Sequence, residues 1–218
     1  MNNPVSASRA DSTTSVIDGS RSIGIIGAGQ IGSAFARALA RHNIPAVIAN
    51  SRGPASLQSL ASEVGPSLRA GTREEAAKAD IVLVAVTWSK LPDAMAGLDL
   101  RSRIVIDANN PIEPPTFHPA NLKGRTSSEV FADLVPGARV VKAFNHLPAL
   151  LVSDDPQAEG GRRVLFFSGD DMQAKRDVAS LIESLGFFGI DLGSLAVGGR
   201  LTEIPGGPLP IHNLVKYG

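Results

Sequence analysis

From Ser22 onward the chain alternates short, wholly apolar runs with longer mixed stretches that read as helices. The first run, Ile23-Gly24-Ile25-Ile26, has no polar alternate positions and ends at glycines, the pattern of a central parallel strand buried on both faces. A helix is predicted over Ser33–Arg41, a strand at Ala46–Ala49, helices near Ser56–Val64 and Thr72–Lys78, and a strand at Ile81–Val86. Further strands are predicted at Ile104–Asp107 and Val140–Ala143. Strands spaced by helices imply right-handed βαβ crossovers, and therefore an α/β fold with a doubly wound, mostly parallel sheet covered on both faces.

After Ala143 the pattern predicts a proline-marked turn, a polar loop at Ser153–Arg163, a strand at Val164–Ser168, a helix at Met172–Leu185 and a strand at Phe188–Leu192. Gly193–Gly218 contains Gly198-Gly199 and Pro205-Gly206-Gly207-Pro208-Leu209-Pro210, so it cannot be one regular helix. Met1–Arg21 is rich in Ser, Asn, Asp and Thr, with too few apolar side chains to offset the entropy of ordering, and is expected to be a tail. The expected organisation is a tail over 1–21, a dinucleotide-binding domain over 22–150 and a small α/β extension over 151–218 that completes the acceptor site.

Composition narrows the function classes. At 218 residues and 43% hydrophobic content, one core is expected and two full domains would be cramped. Twenty-one basic residues balance twenty-one acidic ones, so no overall field draws the protein to nucleic acid or an anionic membrane. With no cysteine, thiolate catalysis, Fe–S clusters and Cys-based zinc sites drop out together. No apolar run approaches the roughly 20 residues that span a bilayer, and the first residues lack the design of a signal peptide. A cytoplasmic protein with no membrane or nucleic-acid partner is expected.

The main chemical signal follows the first strand. Gly27-Ala28-Gly29-Gln30-Ile31-Gly32 matches G-x-G-x-x-G in its strand-to-helix context, which makes the fold Rossmann-type. Gly27 serves the tight turn, Gly29 lets a pyrophosphate approach the backbone, and Gly32 lets helix and strand pack closely. Free N–H groups at the helix N-terminus favour phosphate. An NAD site normally places Asp or Glu at the end of the second strand, but this chain has Asn50-Ser51-Arg52. A hydroxyl and a guanidinium suit a 2′-phosphate that a carboxylate would repel, so NADP(H) is expected over NAD(H).

Later strand ends are expected to line the nicotinamide half. They carry Val86, Thr87 and Trp88, then Asn109, Asn110 and Pro111, then Ala143, Phe144, Asn145 and His146. The three asparagines are placed to bond a carboxamide or ribose, and His146 is the one histidine at a strand end where it could donate a proton. No H-x-x-x-H or H-E-x-x-H spacing occurs, so no metal site is expected. Tyr217, the only tyrosine, excludes a Tyr-x-x-x-Lys pair, and G-x-S-x-G is missing. Hydride transfer between two flat rings needs stacking and water exclusion more than a dedicated acid.

Taken together, Ile23–Gly32, Asn50-Ser51-Arg52, Val140-Val141-Lys142-Ala143-Phe144-Asn145 and Phe167-Ser168-Gly169-Asp170-Asp171 resemble the NADPH-dependent reductases of the deazaflavin coenzyme F420 and the related cytosolic domains of six-transmembrane metalloreductases. The resemblance runs from about Ser22 to Glu203. It implies an NADPH site at Gly27, Gly29, Gly32, Ser51 and Arg52, a flavin or deazaflavin as small-molecule hydride acceptor near Asn145–Pro148 and Gly193–Leu201, and a homodimer. Thr87 stands where a proline is common in that family, and the proline-rich tail departs from its helical ending. Two other readings stay open: a reductase of a small carbonyl or imine, and a non-catalytic NADP(H)-sensing module.

Overall fold

The computed structural model describes residues 21–113, 115, 118–158 and 160–218. The predicted tail lies outside these residues except for Arg21, whose guanidinium pairs with Asp177 at 2.9 Å. The first half of the chain contains β1 (Ile23–Ile26), α1 (Gln30–Arg41), β2 (Ala46–Ala49), α2 (Gln58–Val64), β3 (Leu68–Ala70), α3 (Arg73–Ala76), β4 (Ile81–Val84), α4 (Leu91–Met95) and β5 (Ile104–Asp107). The second half contains α5 (Ser127–Leu134), β6 (Arg139–Ala143), α6 (Ala149–Ser153), β7 (Gly161–Gly169), α7 (Met172–Ser184), β8 (Phe188–Asp191), α8 (Leu195–Thr202) and β9 (Val215–Tyr217).

Among the described residues a ten-stranded sheet runs along the path β8-β7-β6-β5-β4-β1-β2-β3, with β9 and a short strand at Gln157–Ala158 pairing beside β7. The six from β3 to β6 are parallel, with Ile25 opposite Ile48 on one side and Leu83 on the other. Their order, 3-2-1-4-5-6, is that of a Rossmann sheet, whose switch point lies between β1 and β4. β7 runs antiparallel to β6, pairing Phe167 with Ala143, and β8 runs parallel to β7. Residues 161–191 therefore extend the same sheet, and β9 returns to pair with the start of β7.

The continuous apolar runs are explained by two buried faces. Ile25, Leu83 and Ile106 face a layer containing Phe35, Leu39 and Phe144, whereas Ile26, Val84 and Val105 face one containing Phe131 and Leu195. β3 escaped prediction because only Leu68 of its three residues is buried. Helices α3 and α5 each start on a reciprocal capping box, Thr72 with Glu75 and Thr126 with Glu129. The signal for α5 is thus in the sequence, in Thr126 and Glu129. α6 likewise occupies the expected turn and polar loop, and α8 forms an eight-residue helix before the Pro/Gly segment. No helix among the described residues is long and apolar enough to cross a membrane.

Candidate cofactor-binding site

A cleft of about 820 Å³ opens beyond the carboxyl ends of β1, β2 and β4, at the switch point. Its floor is the glycine turn. Gly27 adopts φ +108° and donates its N–H to the Ala49 carbonyl at 2.9 Å, tying the turn to β2. A side chain on Gly32 would place Cβ 1.8 Å from the Gly27 carbonyl oxygen, so α1 can approach the turn only with glycine there. Gly29 differs: a Cβ at this position would meet no atom within 4 Å. The protein's own packing makes no demand for glycine at 29, whereas a group seated on the backbone would. Gly29 is also the N-cap of α1; it supplies no capping side chain, and no acidic residue occupies the first turn. The N–H groups of Gln30 and Ile31 and the positive end of the helix are therefore open to an anion.

At the end of β2, Asn50 organises its own turn. Its Oδ1 accepts the Arg52 amide at 2.9 Å and the Ser56 hydroxyl at 3.1 Å. This leaves Ser51 and Arg52 exposed on the cleft wall, and the Arg52 guanidinium has no carboxylate partner among the described residues. Ser51 does not cap the following turn of helix, whose N-cap is Gly53. Sequence reasoning missed two further cations on this wall, Arg73 and Lys90, and an acid, Asp93. Arg73 also donates to the Asp93 and Ala94 carbonyls at 2.7 and 3.0 Å, closing the end of α4. Neither cation belongs to a motif; both arrive through the packing of α3 and the β4–α4 connection.

Val86 and Thr87 line the cleft as expected, but the other strand-end residues expected there do not. Trp88 is partly buried and packs against the core cluster that holds Leu91 and Met95 of α4. Asn109 is buried, and all its polar groups are engaged internally: its N–H and Nδ2 donate to Asp107 Oδ1 at 3.0 and 2.8 Å, its Oδ1 accepts the Val86 amide at 2.8 Å, and its carbonyl accepts the Lys142 ammonium. Asn110 is equally occupied. It donates to the Asn145 carbonyl at 2.8 Å and accepts from Asn145 Nδ2 and the Ile204 amide, both at 3.1 Å. Asn145 also donates to the Thr202 carbonyl at 2.7 Å, which fastens the end of α8 to this loop, and its Oδ1 is buried without a partner among the described residues. Pro111 and Ala143 are buried. The expected contacts of Asn109 and Asn110 with a carboxamide or ribose are thus replaced by bonds within the protein.

His146 is corrected in the same way. Its ring is 1% exposed and stacks obliquely on Phe166 at 5.2 Å, and its Nε2 accepts the Phe166 amide at 3.3 Å. Burial, helped by the nearby Lys142 charge, lowers its pKa from 6.5 to about 4, so the imidazole is neutral near pH 7 and poorly suited to give a proton. Phe144, with φ +64°, turns back beneath the strand end and meets Phe35 of α1 edge-on at 4.9 Å rather than flanking a ring in the cleft.

Comparison with known proteins bears on this geometry. Residues 22–111 match the family model for NADP oxidoreductase, coenzyme F420-dependent. A hypothetical protein from Sinorhizobium meliloti is 48% identical and superposes with a TM-score of 0.85 over 90% of this chain and 96% of that one. A candidate F420-dependent NADP reductase from Arthrobacter sp. fb24 is 30% identical with a TM-score of 0.69, covering 80% of this chain and 86% of that one. Among curated proteins, the metalloreductase STEAP3 of Rattus norvegicus is 32% identical over 194 residues, which is 84% of this chain and 36% of that protein. The chain thus spans about a third of the length of the curated relatives it matches. By the family-model match and the 30% identity to the Arthrobacter protein, of which it covers 86%, the chain belongs to the coenzyme F420-dependent NADP oxidoreductase family, within the NADP(H)-dependent oxidoreductases.

Proposed function

We propose that the cleft binds NADP(H) with its pyrophosphate on the α1 N-terminus and its 2′-phosphate at Ser51 and Arg52, and that the protein passes hydride between this cofactor and a flavin-like or deazaflavin acceptor. One observation carries the cofactor reading: an exposed hydroxyl and an unpaired guanidinium stand at the end of β2, where an NAD site would hold a carboxylate. The open space over Gly29 and the uncapped first turn of α1 fit a pyrophosphate. When bound, the nicotinamide supplies a hydride donor or acceptor. Around it, the residues of this chain bind and orient: backbone N–H groups hold phosphate, Arg52 and Ser51 select the extra phosphoryl group, and Val86 and Thr87 form the wall.

The acceptor reading draws on the strand ends. His146 is neutral and buried, and Tyr217 lies in β9 beside the start of β7, so neither is suited to protonate a carbonyl in the cleft. An acceptor with a flat conjugated ring needs stacking and exclusion of water instead. The attachment of α8 to Asn145 supports a second wall at that end.

Titration with NADPH and NADH tests the cofactor. Charge-assisted hydrogen bonds are worth about 1.5–3 kcal/mol, so Arg52→Ala should reduce the preference for NADPH by roughly ten- to a hundredfold with little change toward NADH. Equal affinity of the unaltered protein for both nucleotides would overturn it. Oxidation of NADPH followed with FMN, FAD, coenzyme F420, quinones and small carbonyl or imine compounds tests the acceptor; turnover confined to the carbonyl or imine compounds would refute the flat-ring assignment.

A further inference from the structure

Beneath the strand ends lies an ion pair that the cleft does not use directly. Lys142 on β6 and Asp107 on β5 are 1% and 0% exposed, and their charged atoms are 3.1 Å apart. Burying two charges is costly, and an apolar pair of similar volume commonly serves stability as well. What distinguishes this pair is what it holds. The ammonium donates to Asp107 Oδ2, to Ser127 Oγ at 3.3 Å and to the Asn109 carbonyl, one acceptor for each of its three donors. The carboxylate accepts the Ser128 hydroxyl at 2.7 Å on Oδ2 and both the N–H and Nδ2 of Asn109 on Oδ1. Asn109 is therefore gripped at its amide, side-chain nitrogen and carbonyl. Its one remaining polar atom, Oδ1, receives the Val86 N–H, and Val86 is a wall of the cleft standing against the Gly27 turn.

We infer that Lys142 is a positioning residue for the cofactor cleft: held at Asp107, Ser127 and Asn109, its ammonium fixes Asn109 so that Asn109 Oδ1 sets the place of Val86 on the cleft wall. Lys142 touches no reacting atom in this scheme; it acts through Asn109. The role rests on the reading of the cleft as an NADP(H) site.

Two readouts test it on the full chain: exchange of the Val86 amide followed by NMR, and the NADPH dissociation constant, each for the unaltered protein, Lys142→Met, Asn109→Ala and the double variant. Lys142→Met should speed Val86 exchange and weaken NADPH by about tenfold each, and residues acting in series should couple, so the double variant should match Asn109→Ala alone. The KM for NADPH should rise more than kcat falls. Should Lys142→Met not fold, Ser127→Ala removes one acceptor without stranding the carboxylate, and should move both readouts the same way by about threefold. Unchanged Val86 exchange in the Lys142 or Ser127 variant, or effects of Lys142 and Asn109 that multiply, would overturn the role. If the unaltered protein binds no NADPH, the cofactor reading fails while Val86 exchange still decides what Lys142 positions.

Discussion

The two halves of the crevice are built on opposite plans. Around the β1 and β2 ends, polar groups stand open: the first turn of α1 has no cap, Gly29 borders empty space, and Ser51 and Arg52 are exposed. Around the β5 and β6 ends, the side chains of Asp107, Asn109, Asn110 and Lys142 bond within the protein, while Asn145 Oδ1 and His146 Nδ1 stay buried without a partner among the described residues. The first half leaves backbone N–H groups, a hydroxyl and a guanidinium without partners at the cleft among the described residues. The second is a stiff scaffold whose hydrogen bonds hold loops and α8 in place, and the lesson is that a polar strand-end residue is as ready to be structural as to bind.

The largest effect expected from breaking this contrast is at Gly32. A methyl group there would lie against the Gly27 carbonyl oxygen at 1.8 Å, and overpacking against backbone should lower stability by about 3 kcal/mol or more, read as a large fall in the denaturation midpoint of Gly32→Ala. His146 comes next. Its folded pKa of about 4 lies below the ordinary 6.5, so the unfolded chain takes up the proton first; stability is complete above pH 6.5 and is lost as pH falls toward 4. The loss is on the order of 3 kcal/mol, and denaturation at pH 7 and pH 4.5 should show it shrinking in His146→Gln. A catalytic His146 would instead put a titrating limb near neutral pH into the rate profile.

Gly29→Ala sharpens the comparison from the open side. Because nothing stands near the added methyl, the melting temperature should hold, while NADPH binding weakens by about tenfold, or roughly 1.4 kcal/mol, through steric exclusion of the pyrophosphate. A parallel loss of stability would show that Gly29 serves the fold. The smallest expected change is in Ser51→Ala, which removes one neutral donor and should cut the preference for NADPH over NADH by about three- to tenfold in paired titrations.

Much of this was legible in the residue order. The runs Ile23–Ile26 and Ile81–Val86 betrayed strands buried on both faces, of which the second ends at Val84, and the three glycines and Asn50-Ser51-Arg52 lie at the strand ends around the cleft. These signals are local: each depends on a few neighbouring residues and the geometry of one turn. β3 carries a weak signal because only one of its three residues is buried, whereas α5 is marked at its start by Thr126 and Glu129. Arg73 and Lys90 carried no signal, since an isolated cation on a helix looks the same whether or not it borders a cleft.

By itself, then, the sequence determined the α/β alternation, the glycine turn and the chemistry at the end of β2, because periodicity, absence of a side chain and type of charge are properties of short segments. Only the tertiary structure decided that Asn109 and Asn110 hold the scaffold, that His146 is buried and neutral, and that Lys142 meets Asp107. Those outcomes depend on β4, β5 and β6 lying side by side, which brings together residues more than twenty positions apart, and a buried polar atom bonds whichever partner that adjacency supplies.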